Sequence, residues 1–292
     1  MRLMTSVGRD LLPRAVGKAR RSIRPLLPEK IVEETRVIRS LARSAPMTTR
    51  GYRFGSHFAS AATPKSILPA SDPGSNPLRA YFESHTEGRG IWKGRHYFDI
   101  YVRHLERFVG RPVHVVEIGV YSGGSLEMWR KYFGPESTIY GVDLEEACRV
   151  YEGDGVRIFV GDQGDRSFWK RFKKEVPFVD VVIDDGGHAP DEMRVTFEEL
   201  MPILRPGGVY ICEDIGTDNT FLPYLGGLAQ HLVSYSGIPL KEEGVASGAS
   251  ALQRSVESIH LYPLLAVIER TLAPVTSFQY PKHGSEWQPF YD

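Results

Sequence analysis

The chain has 292 residues, enough for one large α/β domain with an extension or for two small domains. Hydrophobic residues make up 41%, which supports a sizeable core, and no apolar run approaches the roughly 18–20 residues of a membrane span. Lys+Arg and Asp+Glu are equal at 36 each, which excludes the overall basic excess of a nucleic-acid-binding chain, and two cysteines (Cys148 and Cys212) exclude a disulfide framework or a cysteine zinc site.

The first 50 residues are rich in arginine and lysine, with helical stretches broken by Pro13, Pro25 and Pro28. They lack the apolar core of a signal peptide, so a cytoplasmic protein with reduced thiols is expected. This extension reads as a loosely held segment or a subunit contact for a homo-oligomer; a basic surface helix touching a partner or membrane is the alternative. Residues 46–78, rich in Ser, Ala, Pro and Gly, read as a linker or a wrapping loop. The expected division is a helical or irregular extension over 1–80 and a single domain over 81–292.

From there the pattern is regular. Residues 97–108 have apolar positions at helical spacing. Strands are expected at 113–120, 138–144, 156–161, 178–185 and 208–214, with helices at 125–132, 167–175 and 190–204. Repeated β-α alternation predicts an α/β, doubly wound and mostly parallel sheet. Residues 258–262 and 265–270 add two strands about Pro263-Leu264, and so short a link joins only antiparallel strands. The sum is a seven-stranded Rossmann-like sheet with an antiparallel C-terminal hairpin.

Open parallel sheets bind ligands at the carboxyl ends of their strands. The first strand ends in Glu117-Ile118-Gly119-Val120-Tyr121-Ser122-Gly123-Gly124-Ser125, a glycine turn that lets a ligand approach the backbone. A GxGxxG fingerprint is absent, which speaks against a nicotinamide cofactor. Asp143 ends the second strand, where an acid can accept bonds from ribose hydroxyls. Asp162-Gln163 ends the third, beside an adenine edge, and Asp184 ends the fourth. The densest feature is Asp184-Asp185-Gly186-Gly187-His188 followed by Glu213-Asp214. Carboxylates gathered on neighbouring strand ends repel one another unless a cation or ligand is present, which suggests a hard-metal site beside a base. Trp92, Tyr97, Tyr101, Tyr121 and Trp129 are candidates for stacking on a sugar or adenine, though Trp129 and Tyr132, three apart on one helix, read better as core. Tyr224 and residues 244–250 are candidates for a mobile lid, or a plain surface loop.

Across roughly residues 85–290, the run E-I-G-V-Y-S-G-G-S, Y-G-V-D, G-D-Q, I-D-D-G-G-H and V-Y-I-C-E-D resembles the class I S-adenosylmethionine-dependent methyltransferases. The resemblance is strongest to the metal-dependent branch that methylates macrolide deoxysugars in antibiotic biosynthesis. It implies S-adenosylmethionine and Mg²⁺ as cofactors. Cofactor contacts would fall to Glu117, Gly119, Tyr121, Ser125, Asp143, Asp162, Gln163 and Asp184. Asp185, Glu213 and Asp214 would be the metal ligands, with His188 as catalytic base and Asp185 beside it as the second catalytic residue. Gly187 stands where the branch has Ser, and residues 86–97 depart from its cofactor-covering motif. The implied activity is O-methylation of a sugar hydroxyl in a small-molecule or glycan acceptor with vicinal hydroxyls. The alternatives are a non-catalytic cofactor-binding scaffold and an oxidative tailoring enzyme. Nucleic acid is not an expected substrate, because no Asn/Asp-Pro-Pro-aromatic loop follows the fourth strand.

Overall fold

The computed structural model describes residues 29–57, 75–216, 220–233, 245–246, 249–275, 278–279 and 283–284. It divides into two units, Met1–Pro69 and Ala70–Asp292. In the first, one helix, α1 (Glu29–Ser56), runs through Pro46, so residues 46–56 are helical where a linker was expected. Proline removes one backbone donor there without ending the helix, and Thr48, Thr49 and Ser56 each bond the carbonyl four residues back. The basic segment 1–28 and residues 58–74 lie outside the described residues.

The second unit carries the sheet. Its strands are β1 (His114–Ile118), β2 (Thr138–Asp143), β3 (Val156–Val160), β4 (Val179–Asp184), β5 (Leu204–Cys212), β6 (Val256–Tyr262) and β7 (Leu265–Arg270). Their order across the sheet is β3-β2-β1-β4-β5-β7-β6. The first five are mutually parallel, β7 is antiparallel to β5, and β6 returns antiparallel to β7. This is the expected doubly wound sheet with its C-terminal hairpin. β5 starts earlier than expected, because the Arg205-Pro206-Gly207-Gly208 stretch is absorbed as an irregularity in the pairing with β4.

The period of two along each strand builds two cores. Val115, Val181, Ile183, Val209, Ile211 and Val267 face α3 (Tyr97–Leu105) and α4 (Gly124–Phe133), with α2 (Pro77–Ser84) alongside. Val116, Ile118, Val182, Tyr210, Cys212 and Ile268 face α5 (Arg166–Glu175), α6 (Pro190–Leu200) and α7 (Phe221–Val233). A short α8 (Ala251–Ser255) with a Ser250/Gln253 capping box leads into β6. Helices α2, α7 and α8 were not anticipated; in α7 a proline and a Gly226-Gly227 pair hide the helical period.

Strand register decides which strand-end acids meet. Ile118, Asp184 and Cys212 are paired across β1, β4 and β5 and share one face. Glu117, Ile183 and Ile211 form the preceding row and share the other. By the same alternation, Asp185 and Glu213 turn to the side of Glu117, toward α3.

Candidate active site at the strand ends

A cavity of about 1060 Å³ opens at the carboxyl ends of β1, β2, β3, β4 and β5. That is room for a nucleotide-sized ligand with a second molecule beside it. Its floor is the turn after β1. Gly119 has φ +86°, and a Cβ there would stand 2.0 Å from the Asp185 carbonyl oxygen. Only glycine lets the turns after β1 and β4 lie against each other so closely. Gly124 opens α4, and a Cβ there would meet the Arg89 and Gly90 carbonyls at 2.3 and 2.5 Å. The missing side chain lets the segment before α3 cross the helix start.

Backbone conformation marks the same place. Five described non-glycine residues have positive φ: Tyr121, Asp154, His188, Asp214 and Leu264. All but Asp154 line the cavity. Left-handed backbone at Tyr, His and Leu is costly and persists where the surroundings enforce it, which concentrates it at functional sites.

Ten of the twelve site residues expected from sequence line this cavity. On one side, Asp143 accepts hydrogen bonds from the Val120 and Tyr121 amides at 2.8 and 3.0 Å and from the Glu145 amide at 3.0 Å, so it braces the glycine turn. Tyr121 is exposed at the rim, Ser125 sits at the start of α4, and Asp162 is exposed and accepts from the Gly164 amide. Gln163 is present but spoken for. Its amide nitrogen bonds Asp184 and Thr196, and its amide oxygen accepts from the Gly187 amide, so it ties the β3 turn to the β4 turn.

On the other side stand Asp185, His188, Glu213 and Asp214. His188 Nε2 lies 3.8 Å from Asp185 Oδ1 and 3.9 Å from Asp214 Oδ2, beyond hydrogen-bonding reach. One ligand atom from each of these three lies within 4.8 Å of the others, the spacing a small cation fills. Glu213 lines the cavity but is almost wholly buried, and its carboxylate accepts from the Tyr101 hydroxyl at 2.6 Å and from Lys93 Nζ at 3.2 and 3.3 Å. The Tyr97 hydroxyl donates to Asp214 Oδ1.

Two expected cofactor ligands are turned away. Asp184 is on the opposite face of the sheet, fully buried, accepting from the Tyr210 hydroxyl at 2.6 Å and from Gln163. Burial pushes its carboxyl up to about 7 despite those two donors. Glu117 lies beneath the cavity, bonded by Ser125 Oγ at 2.8 Å and Trp129 Nε1 at 2.9 Å. In both, alternation along a buried strand points the side chain into the protein. Tyr97 and Tyr101, candidates for stacking surfaces, are buried and serve as hydrogen-bond donors instead, while Trp129 is buried, as its helical spacing with Tyr132 favours, and donates to Glu117. Tyr224 packs on Phe221 within α7 and is not among the residues that line the cavity, and residues 244, 247 and 248 of the lid segment lie outside the described residues.

The residue missed altogether is Lys93. Its side chain is 2% exposed, and Nζ lies 2.6 Å from Asp185 Oδ2, 3.2 Å from Glu213 Oε1 and 3.3 Å from Glu117 Oε1. Burial pulls the ammonium's pKa down, but Glu213, Glu117 and Asp185 outweigh it and hold the group above its ordinary range. Burial likewise raises the carboxyls of Glu213 and Glu117 against the pull of Lys93. Three buried or half-buried acids thus share one cation.

Residues 116–215 match a family described as "Methyltransferase domain". The chain is 39% identical over 136 residues to "Mycinamicin VI 2''-O-methyltransferase" of Micromonospora griseorubida, covering 44% of this chain and 33% of that protein. It is 33% identical over 201 residues to "Demethylmacrocin O-methyltransferase" of Streptomyces fradiae, covering 61% and 50%. Among solved structures it resembles the MycE methyltransferase of the mycinamycin biosynthetic pathway in complex with Mg and SAH, at 27% identity and a TM-score of 0.54, covering 67% of this chain and 54% of that one. The chain spans about half the length, or less, of the curated relatives it matches. No described helix is long and apolar enough to cross a membrane.

Proposed function

We propose that this protein transfers a methyl group from S-adenosylmethionine to a sugar hydroxyl of a small-molecule glycoside, with His188 as general base at a Mg²⁺ site on Asp185 and Asp214. The observation that carries this reading is the convergence of Asp185, His188 and Asp214 on one side of a cavity whose other side is the glycine turn. The similarity to sugar O-methyltransferases supports the acceptor class.

The cofactor would lie over Gly119, with its ribose toward Asp143 and its base toward Asp162. A carboxylate oxygen accepts more than one hydrogen bond, so Asp143 can brace the turn and hold a hydroxyl together. Gln163 frames this compartment rather than reading the adenine, because its amide is already engaged. Mg²⁺, when bound, supplies positive charge that makes a neighbouring hydroxyl more acidic. Asp185 and Asp214 are the open oxygen donors for it, with Glu213 behind them.

His188 faces both carboxylates, so an imidazolium formed by taking the acceptor's proton is stabilised where it forms. S-adenosylmethionine, when bound, would supply the methyl group to the acceptor's oxygen, with the thioether as the leaving group. Tyr97 fixes Asp214, and Tyr101 with Lys93 fixes Glu213, so the acids are oriented before the acceptor arrives. Trp92, exposed at the rim and 6.4 Å from the Tyr121 ring, offers an aromatic surface to a sugar or aglycone.

Calorimetric titration of S-adenosylmethionine, followed by assay on glycosides with and without EDTA, tests the reading. Micromolar binding with EDTA-sensitive turnover is expected. Absence of cofactor binding overturns it; binding with no turnover on any glycoside favours the scaffold alternative.

A further inference from the structure

We propose that Lys93 is the resident counter-cation of the acid cluster: it holds Asp185 and Glu213 in place before any metal arrives and sets how tightly a divalent cation binds beside them. The inference rests on the reading of Asp185 and Asp214 as a Mg²⁺ site and deepens it.

The geometry separates the acids into two groups. Glu117 and Glu213 are sealed in the protein, with side chains 0% and 1% exposed. Asp214 and His188 are open to the cavity, with side chains 51% and 38% exposed. Asp185 joins the groups, with Oδ2 on Lys93 at 2.6 Å and Oδ1 toward His188 at 3.8 Å. An ammonium has three N–H donors and here three carboxylates to meet. Lys93 therefore offsets part of the inner acids' charge and fixes Asp185, the member of its trio that also faces His188. Its positive charge also opposes a second cation a few ångströms away.

Both roles predict the same asymmetry. Removing the ammonium leaves sealed carboxylates uncompensated, which is strongly destabilising for a buried ion pair. It also removes the repulsion felt by an entering metal, so the site turns into a stronger cation trap. A lysine that merely filled space would weaken the fold without making it metal-dependent.

The test uses the full chain with Mg²⁺ alone, without cofactor or acceptor. Lys93→Met keeps the stem and removes the charge. In EDTA its Tm is expected to fall by about 5 °C or more, with most of the loss recovered in Mg²⁺. Its calorimetric Mg²⁺ Kd is expected to be at least about tenfold tighter than in the unsubstituted protein. Equal loss of Tm with and without Mg²⁺, with an unchanged or weaker Kd, overturns the proposal. Should Lys93→Met fail to fold in EDTA, the double variant Lys93→Met/Glu117→Gln removes one buried acid with the cation and restores the charge balance. Recovery of its Tm toward the unsubstituted value supports the charge account; a double variant as unstable as the single one overturns it. The two readings fail separately: unsubstituted protein that does not bind S-adenosylmethionine sinks the methyl-transfer reading and leaves the Mg²⁺ titrations interpretable. Methyl transfer with no change in metal dependence at Lys93→Met sinks the present inference alone.

Discussion

Helix α3 stands between two carboxylate clusters of opposite character. At its start, Tyr97 and Tyr101 reach the strand-end acids, where Glu117, Asp185 and Glu213 share one ammonium and Asp214 stands beside them. At its end, His104 reaches Glu269 on β7, where a single carboxylate meets His104 Nδ1 at 3.3 Å, Arg107 at 2.9 Å, His260 at 3.2 Å and the Ser258 hydroxyl at 3.1 Å. His104, His260 and Glu269 have ligand atoms close enough for a metal, as do Asp185, His188 and Asp214. Spacing therefore does not separate the two, but charge does. Around Glu269 donors exceed acceptors and an arginine already supplies the cation; around Asp185 acceptors exceed donors and the outer acids face a cavity. Surplus negative charge against open space is the mark of a site, and a saturated carboxylate is the mark of a joint.

The sharpest way to break this contrast is to disable one residue in each cluster. His188→Ala is expected to lower kcat by about 10²–10⁴-fold while S-adenosylmethionine affinity and Tm stay within error of the unsubstituted protein. Undiminished turnover in that variant would remove His188 as base. Glu269→Gln is expected to do the reverse: kcat and KM on the same glycoside unchanged, and stability reduced by about 1–3 kcal/mol in denaturant titration, the usual worth of hydrogen bonds to a charged group.

The pH dependence of that loss has a definite sign. The partners His104 and Arg107 hold the Glu269 carboxyl well below its ordinary 4.5. A group depressed in the folded state stabilises above its unfolded value and loses that contribution as pH falls through the folded one. The unsubstituted protein should therefore lose stability below about pH 4.5 more steeply than Glu269→Gln. Parallel acid limbs for the two proteins would show that Glu269 is not the joint described above.

The contrast also shows what the sequence could yield. Strand identity was legible because apolar runs ended in turn residues, and the acids were legible because they ended those runs. Their parity was legible too: counting by twos from Val181 or Val209 sends Asp185 and Glu213 to one face and Asp184 to the other. Treating all strand-end acids as one set lost that distinction and placed Asp184 with the cofactor; Glu117, on the same face as Asp185, was misplaced by depth instead, being one row further into the sheet. Lys93 was harder to find. It lies 92 residues before Asp185 and 120 before Glu213, in a segment whose composition resembles a loop. Only the fold brings it there, over a helix start that Gly124 leaves bare. Tyr97 and Tyr101 carried a weak signal in their spacing of four, which puts both on one side of α3, and phenols on a buried face need hydrogen-bond partners.

The smallest expected effects sharpen the contrast furthest, because they test donor surplus directly. Ser258→Ala removes one of several donors to Glu269, and His104, Arg107 and His260 remain. Its cost should be about 0.5 kcal/mol or less, the low end for a hydrogen bond whose acceptor keeps other partners. Tyr101→Phe also removes one hydroxyl, but Glu213 is then left with Lys93, which it already shares with Glu117 and Asp185. A buried acceptor stripped of its best donor costs about 1–3 kcal/mol. Paired denaturant titrations should rank Tyr101→Phe clearly above Ser258→Ala, and Mg²⁺ should shrink the Tyr101→Phe loss while leaving the Ser258→Ala loss unchanged. Equal costs in the two variants would mean that the acids at the cavity are as well supplied with donors as Glu269, and the surplus of charge that marks the site would lose its physical basis.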